Sequence, residues 1–315
     1  MNDKKLGRIE GAVPVLVMPF DEDGDIDEDS LRRQIDFCLE AGAQAIAFGM
    51  GSESHTLTDS ERAQVWSLTA QHLAGQLPLI VATAHTSREG TIALTRLARE
   101  CGADCAMVNP QPRGGEQLVA LFKDLSEQVD LPLMIQDAGG NAPADLLLQA
   151  TQEAERVNSL KIESPATPHK IGQVVAGLRE SGLAGGGSRE VTVLGGANGN
   201  LLPEEMERGS VGTLPFPAII DAYRTVCGCY VAGDAVSGKE NYMRLILPLL
   251  RLISAGGAGG EVIWLYKAIF QRAGILRTSF CRVGSTSLPD WIMDKVWQHL
   301  TSADLLISRK LRAGK

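Results

Sequence analysis

The sequence predicts a (β/α)8 TIM barrel with a C-terminal helical extension, and three observations predict it. Short apolar runs alternate with longer amphipathic segments eight times between Val13 and Val231, and strands alternating with helices imply parallel pairing through right-handed crossovers. The 315 residues exceed what one small α/β sheet needs and suit a barrel with an appendage. The first strand-to-helix turn, Met18-Pro-Phe-Asp-Glu-Asp-Gly24, lacks the Gly-rich pattern of a doubly wound nucleotide-binding sheet, which leaves that open sheet as the runner-up.

Each repeat has its own justification. Val13–Met18 is an unbroken apolar run and reads as the first strand. Asp27–Ala41 follows as a helix with an acidic first turn and Gly42 just past its end. Gln44–Phe48 is the second strand. Thr58–Ala74 is its helix, with Thr58 and Glu61 spaced as a capping box. Leu79–Thr83 pairs with helix Ser87–Cys101, and Asp104–Val108 with Gly115–Gln128. Pro132–Gln136 pairs with Ala144–Arg156, and Ser159–Ile162 with Pro168–Leu178. Val191–Leu194 with Leu201–Arg208 and Val211–Thr213 with Pro217–Val231 complete the eight. Beyond them only helices are predicted, over Gly238–Ser254, Glu261–Ala273 and Pro289–Leu300. The chain therefore divides into a barrel at 1–235 and a helical region packed on it at 236–315. The basic stretch Arg309–Lys315 reads as a solvated terminus.

Composition excludes several function classes. A net charge of −8 and a pI near 5.3 argue against nucleic-acid or anionic-membrane partners, which need a basic field. No apolar run approaches the ~20 residues of a membrane span. The charged N-terminus has no signal-peptide core after it, so the expected location is cytoplasmic. The six cysteines lack metal or disulfide-scaffold spacing, and no metal or organic cofactor is expected. All four tyrosines, Tyr223, Tyr230, Tyr242 and Tyr266, fall in the last third of the chain, so no phenol before them can act as an acid or base.

In such a barrel the chemistry sits at the C-terminal ends of the strands. The residues there are Gly49-Met-Gly-Ser-Glu-Ser-His55, His85, Asn109-Pro-Gln111, Gln136-Asp137, Lys161 with Glu163, Gly195-Gly-Ala-Asn-Gly199 and Thr213-Leu-Pro-Phe216. Lys161 stands out, because a charge at the end of an apolar strand is costly unless paired or used. An amine there can attack a carbonyl to form a Schiff base; the competing reading is an ordinary ion-paired lysine. Lys170, in the next helix, reads as surface. Period-two alternation puts Glu163 on the same face as Lys161, as a proton shuttle, a salt bridge or a helix cap. Gln136 cannot titrate and can only orient a substrate oxygen.

Several motifs in order resemble the class I aldolase superfamily of dihydrodipicolinate synthase and N-acetylneuraminate lyase. They are the stretch Gly11 to Gly24, Glu40 to Gly49 leading into Gly51-Ser-Glu53, Leu57-Thr58, Glu61-Arg62, Leu131-Pro132, Lys161 and Gly196. The resemblance runs from Gly11 to about Trp297. It implies a lysine imine with a 2-oxo acid such as pyruvate, formed by Lys161, in a homo-oligomer, usually a tetramer. The substrate contacts expected at the strand ends are Gly49, Met50, Gly51, Ser52, Gly196 and Thr213, and the expected catalytic set is Lys161 with Gln136 and Glu163, the last two read from their own chemistry and strand position.

The departures matter equally. The family's two hydroxyl residues after the second strand are absent, Ser52 falling one place late, although the N–H groups of Gly51 and Ser52 could form an anion-binding nest. Its strand-five tyrosine is Gln136. The other tyrosine position falls within Asn109 to Arg113, and the arginine position near Asn141. The sequence thus predicts a Schiff-base aldolase or dehydratase of a divergent branch, acting on pyruvate or a sugar-derived 2-keto-3-deoxy acid. The alternatives are dihydrodipicolinate synthase itself, a non-catalytic 2-oxo acid binding barrel, and a phosphate-binding barrel.

Overall fold

The computed structural model describes residues 8–110, 115–139, 142–185, 189–256, 260–284 and 287–313. Its strands are β1 (Gly11–Ala12), β2 (Ile46–Phe48), β3 (Leu79–Ala82), β4 (Cys105–Val108), β5 (Leu133–Asp137), β6 (Val157–Ile162), β7 (Thr192–Gly195) and β8 (Gly212–Thr213). Alternating with them are α1 (Glu28–Glu40), α2 (Asp59–Leu73), α3 (Arg88–Glu100), α4 (Glu116–Gln128), α5 (Ala144–Glu153), α6 (Thr167–Glu180), α7 (Leu202–Glu207) and α8 (Ile220–Val231). All strand pairs are parallel, in the order β1-β8-β7-β6-β5-β4-β3-β2. A parallel bridge between Val15 and Ala47 joins the two ends and curls the sheet into a barrel. The doubly wound alternative is thereby excluded.

The first strand differs from its expected place. Its ladder lies at Gly11–Ala12 rather than Val13–Met18; Pro14 has no N–H to offer, and beyond Ala12 the pairing continues as single bonds, from Val13 N to Thr213 O at 3.1 Å, Ala47 N to Pro14 O at 2.9 Å and Leu16 N to Ala47 O at 2.9 Å. Between β1 and β8 a side chain on Gly212 would meet the Gly11 carbonyl oxygen at 2.1 Å. Two glycines in register let these strands approach. Inside the barrel Val13, Val15, Ala47, Ile80, Met107, Met134, Leu194 and Leu214 pack on one another. A larger apolar cluster fills the space between strands and helices.

After the barrel come α9 (Ala235–Asn241), a π-helical turn at Tyr242–Ile246, α10 (Leu247–Gly256), α11 (Gly260–Arg272), α12 (Asp290–Ser302) and α13 (Leu306–Ala313). No helix among the described residues is long and apolar enough to cross a membrane. Helix α13 corrects the expectation of a solvated basic tail. Ile307 and Leu311 are buried, and the Leu306 N–H donates to Asp221 Oδ2 at 2.7 Å. The charges sit on one face and the apolar residues on the other, which a count of basic residues hides.

A buried ion pair ties α11 to the loop after β2. Lys267 and Glu53 are both fully buried, and Lys267 Nζ donates to Glu53 Oε2 and to the Phe280 carbonyl. The other Glu53 oxygen accepts from the Val283 N–H at 3.1 Å. Beside it Arg282 bonds Glu61 at 2.5 Å and covers the Phe20 ring. Removing one partner of a buried pair leaves the other charge uncompensated. Lys267→Ala is therefore expected to cost about 3–5 kcal/mol in urea unfolding, and Glu53→Gln with Lys267→Met far less than the sum of the two single changes. Additive losses would show that the two side chains act independently.

Candidate active site

The C-terminal ends of β5, β6 and β7 bring three predicted residues together. Lys161, one residue before the end of β6, is 5% exposed, and its Nζ lies 2.7 Å from Glu163 Oε1. Gln136, in register with Lys161 on β5, donates from Nε2 to the same Glu163 oxygen at 2.7 Å. The second Glu163 oxygen accepts the Ala197 N–H at 2.9 Å. Burial alone would raise the Glu163 carboxyl, but the Lys161 ammonium, the Ala197 N–H and Gln136 outweigh it and hold the group below its ordinary value. Glu163 is thus a carboxylate at neutral pH, with a cation against it and an amide fixing its plane.

This pair forms the floor of a cavity of about 370 Å³. Gly49, Met50 and Gly51 line one side, Asn198, Pro215 and Phe216 another, and Leu250, Ile253 and Val262 from the C-terminal helices close over it. Met50 stands at the rim, 68% exposed. A side chain on Gly51 would come within 2.7 Å of the Phe216 ring, so glycine there keeps backbone rather than side chain facing the cavity.

Two predicted contacts are misplaced. Ser52 is fully buried and does not line the cavity. Its hydroxyl donates to the Leu16 carbonyl and accepts the Gly49 N–H, while its own N–H donates to Gly49 O at 3.0 Å. The nest expected from Gly51 and Ser52 therefore loses its Ser52 member to the turn itself. Thr213 pairs in register with Ala12, a residue of the outer core, and its neighbour Leu214 is the one facing inward. Period-two alternation turns the Thr213 side chain away from the cavity. Lys170 is not at the surface: it is buried and bonds Asp137 at 3.0 Å and Ser164 at 2.6 Å, bracing the loop after β5 against α6. Gln111 and Asn141 lie outside the described residues. His85 packs beside Ser87 at the start of α3, away from the floor.

Gly196 has a different use from the one expected. A Cβ there would sit 2.3 Å from Glu163 Cγ, so the missing side chain is the space Glu163 occupies. Its neighbour Gly195 does the same on the opposite face of β7, where a Cβ would meet Glu205 Oε2 at 1.8 Å. Glu205 is 2% exposed, and Oε2 has no hydrogen-bond partner among the described residues. Burial, then the Glu163 charge, pushes its carboxyl up to about 8. Nothing local in the sequence marks Glu205, because its burial depends on a glycine ten residues earlier.

The tyrosines missing from the first two thirds reappear around the β7 loop. Tyr266 accepts from Asn198 Nδ2 at 2.7 Å and stacks on Phe216. Tyr223 donates to the Asn198 carbonyl at 2.6 Å, and Tyr242 to the Asn200 carbonyl at 2.6 Å. Burial raises the Tyr223 and Tyr266 phenols well above their usual range, so they act as neutral struts. Among the described residues no cluster of three or more His, Cys, Asp or Glu is arranged to hold a metal.

A profile of the dihydrodipicolinate synthetase family matches residues 8–163. The L-2-keto-3-deoxyarabonate dehydratase of Azospirillum brasilense is 26% identical over 261 residues, covering 78% of this chain and 81% of that protein. The 4-hydroxy-tetrahydrodipicolinate synthase of Maridesulfovibrio salexigens is 28% identical over 257 residues, covering 78% and 82%. The crystal structure of dihydrodipicolinate synthase from Rhodopseudomonas palustris superposes with a TM-score of 0.83 at 25% identity, over 94% of this chain and 98% of that one.

Two outcomes follow from the glycine pair. Gly196→Ala is expected to lower turnover by displacing the Glu163 carboxylate while the fold persists, which steady-state kinetics beside circular dichroism would read. Glu205 binds its proton more tightly folded (about 8) than at its ordinary value of 4.5, so unfolding releases that proton and folded stability falls as pH rises between these values. Glu205→Gln escapes this loss. Its stability relative to the parent should rise by up to roughly 3 kcal/mol by pH 7 and level off above pH 8; parallel pH curves would contradict the assignment.

Proposed function

The chain belongs to the dihydrodipicolinate synthetase family, and on that premise we propose that it is a lysine-imine lyase that cleaves or dehydrates a 2-oxo acid. The observation that carries the reading is the contact of Lys161 with the Glu163 carboxylate at the floor of the cavity. An amine is useful there only if something takes and returns its protons, and Glu163 lies at hydrogen-bond distance.

The steps assign themselves to these atoms. Lys161 Nζ passes a proton to Glu163 and adds to the substrate carbonyl carbon. Glu163 returns that proton to the oxygen of the adduct, then carries a second proton from the nitrogen to the same oxygen, which leaves as water, and an iminium remains with Glu163 a carboxylate. Glu163, again a carboxylate, removes a proton from the adjacent carbon to give an enamine, from which a β-hydroxyl departs in dehydration. In aldol cleavage it instead takes the proton of that hydroxyl as the carbon–carbon bond breaks. Gln136 holds the carboxylate plane throughout through Nε2, and its carbonyl oxygen remains for the substrate. The backbone of Gly51 faces the cavity where the substrate carboxylate would lie.

Dihydrodipicolinate synthase proper is the weaker reading. Its tyrosine relay has no phenol at the corresponding strand positions, where Gln136 and the segment from Asn109 stand. The carboxylate of Glu163 offers a relay of another kind, beside the amine rather than across the cavity from it.

Borohydride reduction in the presence of pyruvate is expected to fix one pyruvate-derived adduct on Lys161, read by peptide mass spectrometry, and Lys161→Ala to abolish it. Full lyase activity in Lys161→Ala would sink the proposal. Glu163→Gln should reduce turnover by roughly 10²–10⁴-fold while the adduct still forms on long incubation.

A further inference from the structure

The charged side chains of the cavity gather with Gln136 at the strand ends, and most of the remaining side-chain lining is apolar. Above Lys161, Glu163 and Gln136 the lining is Phe216, Leu250, Ile253 and Val262, with Met50 at the rim. Three polar side chains also border this upper part, and each is already engaged. Asn198 donates to Tyr266 and accepts from the Phe216 N–H. Asn200 donates to the Ala197 carbonyl at 2.8 Å. The Ser254 hydroxyl donates to the Leu250 carbonyl at 3.0 Å. What these side chains can still offer a ligand is the second amide N–H of Asn198 and of Asn200 and the Asn200 carbonyl oxygen, against a lining whose other members here are apolar.

Charge points the same way. Lys161 and Glu163 are the charged side chains of the described lining and offset each other. A 2-oxo acid brings one carboxylate to the floor, and a second anion would find no further cation among the described lining. Desolvating an unpaired charge there is costly, and of a chain of hydroxyls only those that reach the Asn198 and Asn200 amides would be paired.

We propose, building on the lysine-imine reading, that the substrate is a 2-oxo acid whose far end is an uncharged apolar group, alkyl or aryl, rather than a polyol chain or a second carboxylate. In the cleavage direction the bond between the enamine carbon and the hydroxyl-bearing carbon breaks. The hydroxyl proton passes to Glu163, an apolar aldehyde departs, and the enamine takes up a proton before water releases pyruvate from Lys161. In the dehydration direction the same hydroxyl leaves as water and an unsaturated 2-oxo acid forms. The apolar group rests on Phe216, Leu250, Ile253 and Val262, and Met50 closes over it.

The two readings separate in one set of measurements. Pyruvate with borohydride tests the imine alone. The tail is tested by condensing pyruvate with benzaldehyde, an unbranched alkyl aldehyde, glyceraldehyde and aspartate semialdehyde. The expected result is a kcat/KM at least about tenfold higher for the two apolar aldehydes, and a loss of most of that preference in Val262→Asn and in Met50→Asn. Equal or better use of glyceraldehyde or aspartate semialdehyde, with the Lys161 adduct intact, overturns the proposal and leaves the imine chemistry standing. If no adduct forms, calorimetric binding of a phenyl-bearing 2-oxo acid against 2-oxoglutarate to the unmodified protein still decides the tail: tighter or equal binding of 2-oxoglutarate overturns it.

Discussion

The contact between Lys161 and Glu163 is the constraint around which the rest of the site is arranged. Two residues apart on a strand end, they necessarily share a face, and their opposite charges make it possible to bury both. Everything adjacent accommodates that pair. Gln136 fills the register position beside Lys161 on β5 and bonds the shared carboxylate. Gly196 withdraws its side chain on β7 so that the carboxylate can lie against backbone. The Ala197 N–H then completes its coordination. Neutral substitution of either charge would leave the other facing a low-dielectric cavity alone.

The loops that carry these residues are held by further buried charges. Asp137, the last residue of β5, is bonded by Lys170 and Ser164 from the far side of the β6 loop. Glu53 is bonded by Lys267 from α11. Neither pair touches the cavity floor, yet each fixes one wall of it. Buried pairs of this kind contribute little net stability, but breaking one leaves the other charge uncompensated, so the loops they join are held where both partners meet. The C-terminal helices thus do more than cover the barrel: through Lys267 and Tyr266 they set the positions of the β2 and β7 loops, and through Leu250, Ile253 and Val262 they supply a wall.

The fold was legible because its signals are local and repeated. Capping at Thr58 and Glu61, Gly42 past α1, and the strand-terminal Lys161 each follow from a few neighbouring residues. What the sequence hides depends on partners distant in the chain. Ser52 looked available because its acceptor, the Leu16 carbonyl, lies 36 residues away. Thr213 reads as a substrate contact because β8 is two residues long, too short to show its own alternation. Lys170 reads as exposed because its partner Asp137 lies 33 residues earlier, and α13 is hidden by its own basic face. The apolar wall from α10 and α11 has no signature at all in a sequence read strand by strand.

The paired glycines of β7 also constrain how this protein can change over evolutionary time. At Gly195 and Gly196 the strand is reduced to a ribbon of backbone with a carboxylate lying on each face. Neither glycine can acquire a side chain while Glu205 and Glu163 keep their present lengths. Drift at these positions must therefore proceed in compensated steps, with the acid shortened before its glycine is enlarged. Gly195 with Glu205, and Gly196 with Glu163, should behave as two epistatic couples. The second couple has fewer routes open to it, because shortening Glu163 also withdraws the carboxylate from Lys161.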